Sequence, residues 1–267
     1  MAGTPCRGRS TRCSAPFDPP EAKPVDRRPE KYRFDAELLP LECGESGDQT
    51  GQESRSTGHA AARSMIGMTS IKFVTLEVPD ATVADAFYTA FGVGEHVRVL
   101  PSEAPTSGFR GYILSLVVSQ PSTVDGFIGA ALDGGASVLK PVKKSFWGYG
   151  GVVQAPDGAI WKVATSSKKD TGPATRQIDD IVLLLGVADV KASKQFYVDR
   201  GLAVAKSFGS KYVEFATPES SVKLALYGRR AAAKDAGVSP DGTGSHRIVI
   251  GSDTEPFTDP DGFAWAA

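Results

Sequence analysis

Two equivalent slots in a repeated hairpin raise the question of chemistry in this sequence. Lys162 follows Trp161 in APDGAIWKVA, and Ala266 follows Trp265 in DPDGFAWAA. An ammonium on a strand that lines a hollow can hold a carboxylate or phosphate; its plainer role is a stem laid on apolar surface with the charge in water. Asp180, in QIDDIVLLLG, and His246, in SHRIVIGS, offer one carboxylate and one imidazole. Two donors fall short of the three that a catalytic metal centre generally takes from a protein. His246 also reads as a strand-end ring bonded to a backbone carbonyl. Glu214 and Tyr227 could add an oxygen, although Glu214 reads as solvent-facing. Phe146, Trp147 and Tyr149 crowd one turn, where they can stack on a planar ligand or cover an edge of the fold.

Other chemistries find no support. Cys6, Cys13 and Cys43 all lie near the N-terminus, which leaves the body without a thiol, and their spacing fits no zinc pattern. No Ser/His/Asp arrangement is evident. Gly148-Tyr149-Gly150-Gly151 does not stand between a strand and a helix, the setting a phosphate loop needs. With 30 basic and 31 acidic residues the net charge is −1, so no overall field draws nucleic acid or a membrane. No apolar run approaches the roughly 18 residues that span a bilayer, and no secretory signal opens the chain. The expectation is a cytoplasmic protein whose partner is a small molecule, alone or as a homodimer.

The elements that would position these residues come in a repeating order. IKFVTLEV (71–78) alternates as a strand; Asp80 or Thr82 can cap a helix whose apolar stripe is Val83, Phe87, Ala90 and Phe91, stopped by Gly92. HVRVL and GYILSLVVS read as strands. A second helix carries Val124, Phe127, Ile128, Ala131 and Leu132, and three strands end at AIWKVAT. After a polar linker at 167–177 the order restarts: IDDIVLLLGV, a helix capped by Asp189 with Phe196 and Tyr197, then LAVAKSF, KYVEFAT and VKLALYG. RRAAAKDAGVSPDGTGS holds a short helix and a loop. Phe87 and Phe196 are 109 residues apart, as are Val78 and Val187, while Pro156 and Pro260 are 104 apart, which indicates a duplicated plan. Residues 1–67 are rich in Pro, Gly, Ser, Arg and Glu and read as a disordered tail or a start-site extension, Met65 and Met68 each being a plausible start.

This order, with V-x-D, F-Y and Gly at 78–92 and 187–201 and the D-P-D-G-F-A-W string at 259–265, resembles the vicinal oxygen chelate superfamily of glyoxalase I, bleomycin-resistance proteins and extradiol dioxygenases. The resemblance spans 71–267. It implies an α+β fold of two tandem glyoxalase-like domains, 68–166 and 178–267, built from βαβββ modules whose mixed sheets curl into cups. The second domain has a shortened second module, and the fuller modules, about 111–166 and 178–229, could face each other across the linker. The resemblance also implies a divalent metal held by the first and last strands of each module, commonly by His and Glu. Here those places hold Phe73, Ile113 and Lys162 in the first half. In the second they hold Asp180 or Val182, then His246, then Ala266.

The expected function is therefore binding of a small, anionic or aromatic organic molecule without metal or other cofactor, in the manner of the resistance proteins. Phe73, Trp147, Tyr149, Lys162, Asp180, Tyr227 and His246 are the candidate contacts. One alternative is a glyoxalase-type lyase, isomerase or dioxygenase using Zn, Ni, Mn or Fe at Asp180 and His246. A second is a non-catalytic assembly module.

Overall fold

The computed structural model describes residues 70–217 and 220–267. The expectations for residues 1–67, cysteines included, lie outside them. β1 (Ile71–Val78) leads to Asp80, whose carboxylate accepts from the N–H groups of Thr82 and Val83 and caps α1 (Ala81–Phe91). A cap of this kind is worth about 1 kcal/mol. Gly92, at φ 93°, ends the helix in the left-handed conformation that glycine adopts without strain. The buried stripe is Ala84, Phe87, Tyr88 and Phe91, a run of i, i+3, i+4 and i+7 positions. Val83 and Ala90, expected within the stripe, fall outside it; Val83 is 58% exposed.

β2 (Val97–Pro101) and the short β3 (Thr106–Gly108) follow. Next comes a complete βαβββ module: β4 (Tyr112–Val117), α2 (Pro121–Asp133), β5 (Ser137–Ser145), β6 (Gly148–Gln154) and β7 (Ile160–Thr165). A second complete module repeats it: β8 (Asp180–Val187), α3 (Val190–Asp199), β9 (Ala203–Phe208), β10 (Tyr212–Ala216) and β11 (Lys223–Gly228). The chain then forms α4 (Arg229–Ala236), β12 (Gly242–Gly244), β13 (Ile248–Ser252), β14 (Phe257–Thr258) and β15 (Ala264–Ala266). The fold is α+β and glyoxalase-like, as the resemblance implied.

The linker divides the sequence but not the sheets. An eight-stranded sheet runs β5-β6-β7-β4-β8-β11-β10-β9, and a five-stranded sheet runs β14-β15-β13-β1-β2. Each has an antiparallel seam joining the two halves of the chain, β4 against β8 and β1 against β13. The two complete modules thus lie edge to edge in one sheet. The linker itself is strapped down. Gln120 receives the N–H groups of Thr171 and Gly172 and donates to the carbonyls of Gly172 and Pro173. Arg176 donates to the carbonyls of Ala90 and Phe91 at the end of α1.

The main core lies where α1, α2 and α3 meet the sheets, and the repeated motif is its anchor. Trp161 and Trp265 are 0% and 2% exposed. Trp161 packs against Tyr88 and Phe91 at 5.8 and 5.3 Å between ring centres, and Trp265 against Tyr197 and Phe257 at 5.6 and 5.1 Å. Both hairpins close the same turn: Ala155 N–H donates to the Ala159 carbonyl, Asp259 N–H to that of Phe263, and Gly158 and Gly262 stand at φ 91° and 92°. The tyrosine of each F-Y pair donates to an aspartate of its hairpin, Tyr88 to Asp157 at 2.7 Å and Tyr197 to Asp259 at 2.6 Å. The aspartates are not equivalent positions; Asp261, the counterpart of Asp157, instead accepts from Ser193 Oγ and Ala188 N–H.

These tyrosines carry a prediction. Burial, and then the facing carboxylate, holds the hydroxyls of Tyr88 and Tyr197 well above the ordinary tyrosine range. In the unfolded chain they ionise near pH 10. Above that pH the unfolded chain loses protons that the folded chain keeps, so stability is complete below about pH 10 and falls as pH rises. Thermal midpoints measured from pH 8 to 11.5 should decline beyond pH 10. Tyr197→Phe should flatten part of that decline and cost about 1–3 kcal/mol at pH 7, because the Asp259 carboxylate, nearly buried, loses a donor.

Candidate functional site

Strand alternation sets which side chains occupy the face of the eight-stranded sheet that α4 covers. On β7, Trp161 and Val163 point to the main core, and Ile160, Lys162 and Ala164 point the other way. The registers place Lys140, Val152, Lys162, Ser115, Val182 and Lys223 in one row across β5, β6, β7, β4, β8 and β11. From β7 to β11 this row covers three strand spacings, roughly 15 Å. The next row contains Lys143, Gly150, Ala164, Val117 and Asp180.

Part of this face is covered by the chain itself. α4 leaves β11 at Gly228 and lies on the concave face, with Ala232, Ala233 and Ala236 fully buried against a second apolar cluster that includes Ile113, Val152, Ile160, Leu184 and Ala225. The Lys162 ammonium donates to Asp235 Oδ2 at 2.7 Å, and these side chains are 13% and 12% exposed. Lys140 Nζ donates to the Lys234 carbonyl at 2.6 Å, in the last turn of the helix. Across the floor, Lys223 pairs with Asp180 at 2.8 Å. Tyr227 and Tyr212 stand edge to face at 6.1 Å, and the Tyr212 hydroxyl donates to Glu214 at 3.3 Å. Burial and then Glu214 raise that hydroxyl above the usual tyrosine range.

The candidate residues separate into four places. Lys162, Asp180 and Tyr227 share the concave face. Trp147 and Tyr149 belong to the β5–β6 hairpin. Trp147 meets Phe146 at 4.8 Å near the tip, while Tyr149 turns to the opposite face and donates to Asp125 of α2 at 2.8 Å. Tyr149 and Val152 differ in parity along β6, so Tyr149 lies on the face away from Lys162. Phe73 is on the five-stranded sheet, beside Gly251, with the Arg98 guanidinium 3.5 Å from its ring centre. A Cβ at Gly251 would come within 2.4 Å of that ring, so the phenyl lies across the glycine.

His246 precedes β13. Its Nδ1 is 2.5 Å from the Arg110 carbonyl and its Nε2 3.0 Å from that of Asp261, and its ring stacks on Phe263 at 4.1 Å. Both ring nitrogens are thus turned to carbonyl oxygens. Asp180 opens β8 and pairs with Lys223, whereas His246 lies before β13 against the carbonyls of Arg110 and Asp261, so the structure does not bring this pair together. Among the described residues no three His, Cys, Asp or Glu side chains gather as a metal set. The concave positions of β4 and β7 hold Ile113 and Lys162. The row of the five-stranded sheet that contains Phe73 continues with Gly251 and Ala266. This donor set does not fit a divalent cation: it offers apolar groups and an ammonium where anionic or imidazole ligands are needed.

Sequence reasoning missed Asp235, Lys223 and Ser115. For Asp235 the available signal was the stripe Ala232, Ala233 and Ala236, whose i, i+1 and i+4 spacing marks one packed helix face with the aspartate beside it.

Comparison with known proteins finds likenesses of fold. The sequence matches no family model and no curated protein. Glyoxalase I from Zea mays is a similar solved structure, at 15% identity over 74% of this chain and 91% of that one, with a TM-score of 0.48. The Mn(II)-bound glyoxalase from Novosphingobium aromaticivorans is 18% identical over 74% and 81%, with a TM-score of 0.27. A glyoxalase-related enzyme from Fulvimarina pelagi is 18% identical over 40% and 99%, with a TM-score of 0.29. At this distance the likenesses carry no statement about chemistry. Among the described residues no helix is long and apolar enough to cross a membrane.

Proposed function

We propose that this protein binds a small anionic organic molecule on the concave face of its eight-stranded sheet and uses an ammonium, rather than a metal ion, as the recognising charge. The observation that carries the reading is the direction and setting of Lys162. It stands on the face of β7 opposite Trp161, in a row with Ser115 and Val182 and next to Val117 and Ala164, and is paired there with Asp235 of α4. An apolar floor with a few placed polar groups is the usual composition of a small-molecule site. Lys223 and Tyr227 border the same face and suit a second polar group or a ring on the ligand. The reading is one of sequestration, in the cytoplasm, with the ligand left chemically unchanged.

A thermal-shift screen of organic acids, neutral amides and amines tests it. The protein as a whole chain should be stabilised by a subset of the acids, by about 2–3 kcal/mol at a hundredfold excess over Kd. Lys162→Met should abolish those shifts and leave the shifts from any amine or amide unchanged. A Lys162→Met protein that responds to every acid as the wild type does refutes the reading. Stoichiometric Zn, Ni, Mn or Fe after purification, with metal affinity reduced in His246→Ala, would replace it with the metalloenzyme.

A further inference from the structure

Among the described residues the buried charged side chains are Asp235, Arg247 and Asp259. Asp235 meets Lys162, and Asp259 accepts from the Tyr197 hydroxyl and from the N–H groups of Asp261 and Phe263. Arg247, just before β13, has no such match. It is 7% exposed, and none of the ion pairs among the described residues is its own. A guanidinium taken out of water is ordinarily held by a carboxylate, because its desolvation is otherwise left uncompensated. Here Nη1 donates to the Ser102 carbonyl, just past the end of β2, while Nε is buried without a partner. The cross-strand neighbour is Glu77 of β1, whose N–H donates to the Arg247 carbonyl at 3.0 Å. The Glu77 carboxylate accepts from Ser245 Oγ instead, at 3.4 Å.

The unpartnered side of this group has a definite chemistry. With Nη1 committed to Ser102, the remaining edge of the plane is Nε and Nη2, two parallel N–H directions that suit two oxygens of a carboxylate or phosphate. The backbone is also unusual there. Arg247 stands at φ 56°, the one residue other than glycine in the left-handed region among the described residues, and that conformation strains a side chain of this size. A second group without a partner belongs to the same place. Thr106 of β3 stands opposite Gly244 of β12, and its hydroxyl is buried and unbonded. Ser245 links the two positions: its N–H donates to the Pro105 carbonyl, and its Oγ accepts from the Arg247 N–H. Unmade bonds and an unmatched charge are thus grouped at the root of the β3–β12 ribbon.

We infer that Arg247 is the recognising residue of an oxyanion site at this root: Nε and Nη2 take two oxygens of a carboxylate or phosphate side by side, and the Thr106 hydroxyl donates a further bond. The anion supplies the counter-charge that the chain does not. Nε is shielded from water, so entry takes a local opening, and a ribbon three residue pairs long is a small one to open. The site lies at the end of the five-stranded sheet, apart from Lys162, so either stands if the other fails.

Sodium phosphate and sodium acetate are the probes, each titrated against sodium chloride at equal ionic strength. At a tenfold excess over Kd, one or both should raise the wild-type thermal midpoint by about 3 °C or more above the chloride control. A rise with phosphate alone identifies a tetrahedral anion, and one with acetate alone a carboxylate. Arg247→Met should lose the rise. Arg98→Met, which removes an exposed guanidinium of the same sheet, should keep it. Arg247→Lys retains the charge without the fork and decides the matter if the Met variant folds poorly; its rise should be about half the wild-type value or less. In the wild type, the Nε–H resonance that is missing from Arg247→Lys should exchange with water at least about tenfold more slowly in saturating anion. The inference is overturned by a wild type that gains nothing over chloride, by a full rise in Arg247→Met or Arg247→Lys, by loss of the rise in Arg98→Met, or by Nε–H exchange that neither anion slows.

Discussion

Asp235→Ala should be among the most destabilising substitutions in the chain, by about 3–5 kcal/mol, because it strands the Lys162 ammonium in a nearly buried place. For a domain of this size that corresponds to a fall in thermal midpoint of on the order of 10 °C. The informative companion is the pair Lys162→Met with Asp235→Leu. Removing both charges and filling their volume with apolar groups should restore wild-type stability or exceed it, since two desolvated ions are replaced by packing. A double variant as unstable as Asp235→Ala would mean that the pair holds α4 by geometry that hydrophobic contact cannot replace. Chemical denaturation of the wild type, both single variants and the double variant gives the coupling directly.

Trp161→Ala should cost a comparable amount, about 3–5 kcal/mol, through the cavity it leaves. The indole is fully buried, and its neighbours Tyr88 and Phe91 belong to α1 while Trp161 itself is on β7. The substitution therefore loosens the contact between the first helix and the eight-stranded sheet, and it removes the packing that fixes the direction of Lys162 on the other face. An unfolding free energy within about 1 kcal/mol of wild type would show that the repeated tryptophan is replaceable, contrary to the role assigned to it.

Local signals in the sequence were sufficient for most elements. The Asp80 and Asp189 caps, the glycine stops and the Pro-Asp-Gly turns depend on a few adjacent residues, and the structure contains each of them. Alternation likewise placed Lys162 opposite Trp161. What alternation cannot supply is the identity of each face when a strand is buried on both. Tyr112, Ile113 and Leu114 of β4 are all buried, so periodicity there carries no direction. Tyr149 was assigned to the hollow for its nearness in sequence to Trp147, yet the parity of β6 sends it to α2. Asp235 was passed over for another reason: the short helix around it was legible, but the partner that gives its carboxylate a place, Lys162, is 73 residues away on β7. The seams between β4 and β8 and between β1 and β13 have the same origin, being contacts between chain segments that share no local pattern.

Those seams bear on how the molecule comes apart. Two segments joined by a tether would ordinarily remain separable, but here each gives a border strand to the other in two places. A nick between Lys168 and Gly172 would leave both fragments knitted through continuous backbone ladders. Made separately, the fragments would each present two raw margins, and these are open templates for aggregation. Pairing in two sheets makes the segments before and after the linker depend on each other, so cutting the chain there does not yield two self-sufficient pieces.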